Sequence, residues 1–370
     1  MKKKKILYIS HSAVTSFHLK KIKELSRYYN ILLITPHVGK EEGVIHYPVS
    51  RQINSSLKHK VLRYFFPLKT YISFSPFIIK EILVFKPDLI YLDEEPMAFI
   101  SFFIVLLKKI FSPYTRIIVY TFENIKFNWY FKFPKYLFYN YFKFFVLKNI
   151  DGLICATYFS KEIYKNFKKE IDVIPYYIDI IDYSIGKRNR ENDLLNILFI
   201  GRLIPEKGIM FLLDAIVDLK IPYKLHIIGD GHLKNEILKF IDKYGIDAKL
   251  YGHMPHEKVY EIMEQVDCMV IPSFTIPNWK EQFGRVIIEA MAKGCLVVGS
   301  NSGAIPEVIG KYGFVFNEGD KEELLNILNK IYNKELIISK EGMKKYVQKN
   351  FSLSSVVLKT YRFIEKVMSH

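Results

Sequence analysis

Short apolar runs alternate along the chain with longer stretches whose apolar residues recur every three or four positions. The runs read as strands and the stretches as helices. In the first half the predicted strands cover 5–10, 31–35, 88–92, 116–121, 152–156 and 172–174. In the second half they cover 195–200, 224–228, 249–251, 268–271 and 296–299. Strands alternating with helices imply α/β architecture, with parallel sheets covered on both faces. The stretch Phe283-Gly-Arg-Val-Ile-Ile-Glu-Ala-Met-Ala-Lys-Gly294 reads as one short helix closed by its glycine. Near the C-terminus, apolar residues at Val357, Tyr361, Ile364 and Met368 have helical spacing, with serines at the start as N-caps.

A polar run without periodicity, Gly186-Lys-Arg-Asn-Arg-Glu-Asn-Asp193, interrupts this alternation, and a strand starts again at Leu195. A domain boundary is therefore expected there, between 1–185 and 186–350. The 370 residues, half of them hydrophobic, suffice for two such cores. The expected architecture is two doubly wound, Rossmann-like domains with a cleft between them. Ligands in such sheets bind at the carboxyl ends of the strands.

The formal charge of +16, from 54 basic and 38 acidic side chains, favours anionic partners. Nucleic acid, an anionic membrane surface and a phosphorylated small substrate all satisfy it. Cys155, Cys268 and Cys295 sit in apolar runs without a CxxC pair. They read as buried core residues in a reducing, cytoplasmic setting, not as metal ligands or disulfides. The apolar part of the N-terminal segment ends at Ile9, short for a signal peptide. The longest apolar run, 99–107, is well short of the ~20 residues that span a bilayer. An integral protein is not expected; a peripheral one is compatible. The stretch 127–148 interleaves Phe and Tyr with Lys. It suits base stacking, an interfacial helix at a membrane, or a buried tyrosine-rich helix; burial is favoured for one part and a membrane for the rest.

Candidate chemistry concentrates in the second half. Glu289 lies in a nearly all-apolar stretch, where a carboxylate is costly without a partner. A ribose diol of a ligand satisfies it; so does a buried Arg or Lys. Glu281 precedes the same helix, near the free N–H groups of its first turn, where Gly284 allows close approach of a phosphate or sugar oxygen. The bland alternative leaves it as a solvated loop residue. Being eight positions apart, the two acids serve different ends of one ligand, not an acid/base pair. Gly201-Arg-Leu-Ile-Pro-Glu-Lys-Gly208 follows a buried strand and holds Arg202 and Lys207 on one loop before a helix, a diphosphate site or an ordinary charged turn. Gly229-Asp-Gly231 is a further turn at a strand end. G-x-G-x-x-G is absent here, which argues against a dinucleotide site. In the first half, Asp93-Glu94-Glu95-Pro96 and Glu123-Asn124 stand at strand ends and offer acids for acid/base work. The acids before Pro96 equally suit helix N-capping. His11 and His18 follow the first strand.

Taken in order, Gly201-Arg-Leu-Ile-Pro-Glu-Lys-Gly, Gly229-Asp-Gly, Glu281-Gln-Phe-Gly-Arg-Val-Ile-Ile-Glu and Ser302-Gly-Ala-Ile-Pro-Glu307 resemble glycosyltransferase family 4. The likeness is close over the second half and loose over the first. It implies the GT-B fold and a retaining, metal-independent hexosyltransferase-type enzyme that uses a nucleotide-diphosphate sugar as donor substrate and no cofactor. It implies that Arg202 and Lys207 bind the diphosphate, with backbone N–H groups near Phe283 and Gly284 assisting. It implies that Glu289 holds the ribose and Glu281 contacts the donor sugar. The final helix, 351–370, is expected to cross back to the N-terminal domain. The first half departs from the family pattern. Glu123 stands where a histidine is common, Tyr91-Leu-Asp-Glu-Glu-Pro96 replaces a His-x-His-Glu-Pro pattern, and Ser10-His-Ser-Ala-Val-Thr15 replaces a glycine-rich turn.

The expected function is sugar transfer to a glycan or lipid-linked acceptor in cell-surface polysaccharide biosynthesis, at the cytoplasmic face of a membrane. Glu123 is assigned to the sugar or acceptor beside Glu281 as a catalytic residue. A nucleotide-sugar epimerase of the same fold is the enzymatic alternative. A basic nucleic-acid-binding protein is the non-enzymatic one, although no nucleic acid is expected as a partner of the transferase.

Overall fold

The computed structural model describes residues 3–41, 44–69, 71–125, 135–178 and 193–369. They form two compact units, one of 1–175 with 353–370 and one of 176–352.

The first unit carries β1 (Lys5–Ser10), β2 (Asn30–Pro36), β3 (Gly39–Glu41), β4 (Val44–His46), β5 (Arg51–Asn54), β6 (Leu57–Leu62), β7 (Leu89–Asp93), β8 (Arg116–Thr121), β9 (Gly152–Cys155) and β10 (Glu170–Val173). Eight of them make a sheet in the order β10-β9-β8-β7-β1-β2-β6-β5, with β3 and β4 a separate hairpin. All pairings in the large sheet are parallel except β5 with β6. Successive residues Ile6 to Ser10 are all buried, as in a strand covered on both faces. From β1 the chain winds to β2 on one side and later to β7 on the other. The loops after β1 and β7 therefore diverge at a topological switch point, where open α/β sheets bind ligands.

The second unit carries β11 (Leu195–Ile200), β12 (Tyr223–Ile228), β13 (Ala248–Gly252), β14 (Cys268–Ile271), β15 (Leu296–Ser300) and β16 (Phe314–Phe316). They form one sheet in the order β13-β12-β11-β14-β15-β16, parallel throughout. Here the switch point lies between β11 and β14. The helix expected from 283 begins at Arg285, because Gly284 takes a left-handed φ of 72° and serves as its N-cap residue. It runs to Ala292 with Ile287 through Ala292 all buried.

The units divide at Pro175 and Tyr176, ahead of the expected boundary at 185/186. Tyr176 and Ile178 account for the difference. Both join the core around Phe283 and Ile287, and the Ile178 N–H donates to the Phe351 carbonyl at 2.9 Å. The polar run at 186–192 lies outside the described residues. Helix Leu353–Ser369 belongs to the first unit. It packs on helix Ser16–Leu25 and β8 and buries Val356, Val357, Thr360, Phe363, Ile364 and Val367.

Candidate active site

The loops after β11 and β14 meet at the second unit's switch point. After β11 the chain makes a short turn, Pro205–Lys207, before helix Ile209–Val217. Gly208 has a φ of 70°, and a Cβ there would lie 1.8 Å from the Pro272 carbonyl oxygen. Only glycine lets the two loops touch. The Phe274 N–H then donates to the Glu206 carbonyl at 2.9 Å. The loop after β15 closes in the same way. A Cβ on Gly303 would lie 2.1 Å from the Glu281 carbonyl oxygen, which accepts the Ala304 N–H at 3.1 Å. The Gly229-Asp-Gly231 turn supports the first loop through the Leu203 N–H to the Asp230 carbonyl, 2.9 Å. Backbone contact between loops thus fixes the place of Lys207 and Glu281.

These two side chains close on each other. Lys207 Nζ donates to Glu281 Oε2 at 2.5 Å, and Ser273 Oγ donates to the same oxygen at 3.1 Å. Glu281 is buried, which overturns its reading as a solvated loop residue. The ring of Trp279 lies 5.1 Å from Lys207 Nζ. Trp279 belongs to a tight turn in which Ile276 and Trp279 exchange both backbone hydrogen bonds. Arg202, on the same loop as Lys207, is exposed.

Glu289 is buried on the helix behind this loop, and Arg285 Nε lies 3.4 Å from its Oε1. Of the two readings, the arginine partner is the one seen. Phe283 is also buried, its ring 5.4 Å from Tyr176 and 5.8 Å from Phe351. Its side chain is core, so only its backbone faces the loop cluster. The N-terminus of this helix has no side-chain cap.

At the switch point of the first unit, three consecutive acids take separate partners. Asp93 Oδ2 accepts Ser10 Oγ at 2.9 Å and Ser12 Oγ at 3.2 Å, pinning the turn after β1. Glu94 accepts the His11 N–H at 2.7 Å and meets His11 Nδ1; His11 Nε2 lies 2.6 Å from Ser73 Oγ. Glu95 accepts Thr121 Oγ1 at 2.6 Å and the Phe122 N–H at 2.8 Å. Helix N-capping by Glu94 or Glu95 is thereby overturned, since helix Phe99–Phe111 starts at Ala98 without a side-chain cap. Burial raises the Glu94 carboxyl against the opposing pull of His11. Burial also pushes Glu95 up to about 7, against its hydrogen bonds from Thr121 and Phe122. His18 lies on the first helix, its ring edge-on to Phe17.

Glu123 is buried at the end of β8. Lys143 Nζ meets its two carboxylate oxygens at 2.8 and 2.7 Å, and the Tyr164 hydroxyl donates to Oε2. These three bonds hold the Glu123 carboxylate in place before any ligand arrives.

Residues 182–350 match the profile of a protein family described as glycosyl transferases group 1. The match lies wholly within the second unit. An uncharacterized glycosyltransferase of Methanocaldococcus jannaschii is 29% identical over 236 residues, covering 61% of this chain and 63% of the relative. The GPI3 subunit of phosphatidylinositol N-acetylglucosaminyltransferase from Saccharomyces cerevisiae is 27% identical over 208 residues, covering 51% and 44%. The chain thus spans less than two thirds of these relatives. The solved structure of Anabaena HepE in complex with UDP superposes with a TM-score of 0.73 at 17% identity, covering 98% of this chain and 100% of that one. The two helix-flanked parallel sheets have the GT-B architecture of such group 1 glycosyltransferases.

The sequence alone singles out Arg202, Lys207, Glu281 and Glu289 but misses Ser273, Trp279, Lys143 and Tyr164. Trp279 carried a signal: it is one of two tryptophans in the chain and follows the turn-forming Pro277-Asn278 pair. The partners of Glu123 come from distant positions that no local pattern connects.

Proposed function

We propose that this chain transfers a sugar from a nucleotide-diphosphate donor, with retention and without a metal, to a glycan or lipid-linked acceptor of a cell-surface polysaccharide. The observation that carries the reading is the Lys207–Glu281 pair at the switch point of the second unit, with Arg202 exposed on the same loop. The donor diphosphate draws Lys207 off Glu281, and Arg202 joins it. Two fixed cations then neutralise the charge that grows on the diphosphate as the anomeric C–O bond breaks. Glu281, released, accepts hydroxyls of the donor sugar. Glu289 accepts the ribose diol once Arg285 swings aside, and backbone N–H groups at Phe283 and Gly284 face the phosphates. In front-face retention the acceptor oxygen forms its bond on the side the diphosphate leaves, and the acceptor proton passes to a departing phosphate oxygen. Positioning supplies most of the rate. Glu123, held by Lys143 and Tyr164, orients the acceptor or sugar and does not take its proton. The UDP in the HepE structure supports a nucleotide ligand for this fold.

The test is a thermal-shift screen against a panel of nucleotide-diphosphate sugars, since a donor bound to the native state raises the melting temperature. One donor is expected to shift the protein, and Arg202→Ala and Glu289→Ala are expected to lose that shift. If both variants shift as the parent does, the donor assignment fails. Isomerisation of the donor sugar without any acceptor would replace the transferase reading with an epimerase.

A further inference from the structure

The formal charge of +16 is not shared between the two units. Residues 1–175 with 353–370 carry 31 basic and 14 acidic side chains, a formal +17; residues 176–352 carry 23 and 24, a formal −1. A diphosphate bound in the second unit therefore does not explain the excess, which belongs entirely to the first.

The same unit exposes apolar side chains along one side of a helix and on a neighbouring segment. On helix Lys135–Asn149, Leu137, Phe138, Tyr141 and Phe144 are 53, 59, 57 and 67% exposed. Their spacing puts them on one side of the helix. The flank of this row is apolar too, with Phe142 and Phe145 in ring contact with Phe99 and Phe102. A surface helix ordinarily turns polar residues outward. The segment after β6, which meets another side of the same helix, exposes further apolar side chains. The Tyr71 ring lies 5.6 Å from Tyr139, Phe66 and Leu68 are 56 and 51% exposed, and Phe66 holds a left-handed φ of 52°. Arg63, Lys69 and Lys148 are exposed around it.

We propose that this face of the first unit docks on an anionic lipid bilayer. Leu68, Phe138, Tyr141 and Phe144 enter the boundary between headgroups and acyl chains, while Lys69 and Lys148 lie against lipid phosphates. Aliphatic side chains among the aromatics favour lipid over a single-stranded nucleic acid, which asks for stacking planes set in polar surroundings. A cation excess over the whole unit favours a charged surface over one protein partner. The same helix supplies Lys143 to Glu123 at the carboxyl end of β8, so docking brings that acid to an acceptor anchored in the membrane. That last consequence rests on the proposed transfer reaction; docking itself does not.

The test is flotation of the full chain with vesicles of phosphatidylcholine, alone or mixed with phosphatidylglycerol, over a salt series. Binding to the mixed vesicles is expected, weakening as salt rises. Phe138→Ser with Phe144→Ser is expected to lower partitioning on the order of tenfold or more, with an unchanged melting temperature and donor shift. Ile337→Ser, at an 84% exposed residue of the second unit, is expected to leave partitioning unchanged. If the double variant does not fold, Phe144→Cys carrying an environment-sensitive dye gives the same answer through a blue shift on adding mixed vesicles. The three native cysteines are buried, so labelling is selective. Equal partitioning of parent and double variant, or no blue shift, overturns the proposal. So does tight binding of an oligonucleotide without vesicle binding, or a dimer that Phe138→Ser with Phe144→Ser dissolves. Loss of the donor shift with vesicle binding retained would sink the transfer reaction and leave the docking surface.

Discussion

Lys207 and Glu281 each hold the other's charge, so removing one side chain has two separable effects. Lys207→Met leaves a buried carboxylate with Ser273 as its remaining neutral donor, costing about 1–3 kcal/mol of stability, and removes a cation from the donor phosphates. The donor KM is expected to rise at least about tenfold. Adding Glu281→Gln to Lys207→Met is expected to recover most of the melting temperature and none of the activity. Recovery of both would mean that the pair is structural only. Glu95 makes a second residue-level prediction. Its carboxyl titrates near 7 in the native state and near its ordinary 4.5 when unfolded. Between these values the native state binds more protons, so this group's stabilisation is complete below 4.5 and is lost as pH rises through 7. Glu95→Gln is expected to gain a few degrees of melting temperature on the parent between pH 5 and 8; a difference constant with pH would contradict this. Position relative to strands was enough to select Glu281, Lys207 and the three acids from the sequence. Their partners were not legible, because Lys207 and Glu281 lie 74 positions apart and three adjacent acids divide between two loops, Asp93 and Glu94 reaching the turn after β1 and Glu95 the end of β8.

Among the elements, the buried strands were the most legible. Runs such as Leu195–Ile200 and Cys268–Ile271 are apolar because both faces are covered, so a short apolar run identifies each of them. Strand β6 was missed because Lys58, His59 and Lys60 interrupt it; it lies next to the edge strand, where lysines are tolerated. Strand β16 has only three residues, too few for a period. The loops that build the candidate site depend on glycine in a measurable way. Gly208→Ala is expected to destabilise the protein more than Gly245→Ala. Both glycines have positive φ, but a Cβ on Gly245 meets nothing within 4 Å. Gly245→Ala then carries backbone strain of about 1–2 kcal/mol alone, whereas Gly208→Ala also separates the loops and weakens the donor thermal shift. Equal losses in melting temperature would show that the loop contact is not tight.

At the scale of the whole molecule, the two units divide the chemistry: the proposed donor-binding groups with near-zero net charge in one, cations and exposed apolar side chains in the other. If the units unfold as separate transitions in calorimetry, the nucleotide sugar is expected to raise only the transition of the second. Deleting 353–370 is expected to lower the transition of the first, because the final helix covers β8 and β9. A Cβ on Gly152 in β9 would approach Val367 to 2.8 Å and Phe363 to 3.0 Å, and the Tyr29 hydroxyl donates to Glu365 at 2.8 Å. No change on deletion would mean that the first unit is complete without its tail.

That helix also sets an order for synthesis. The first 175 residues leave the ribosome early, yet the piece that seals their sheet lies beyond the entire second unit. At about 5–20 residues per second, the nascent first unit waits on the order of 10–40 s with the faces of β8 and Gly152 uncovered. The second unit is contiguous and can finish folding during that delay. The part of the chain made first is thus the part completed last, and the interval is when a chaperone has most to shield.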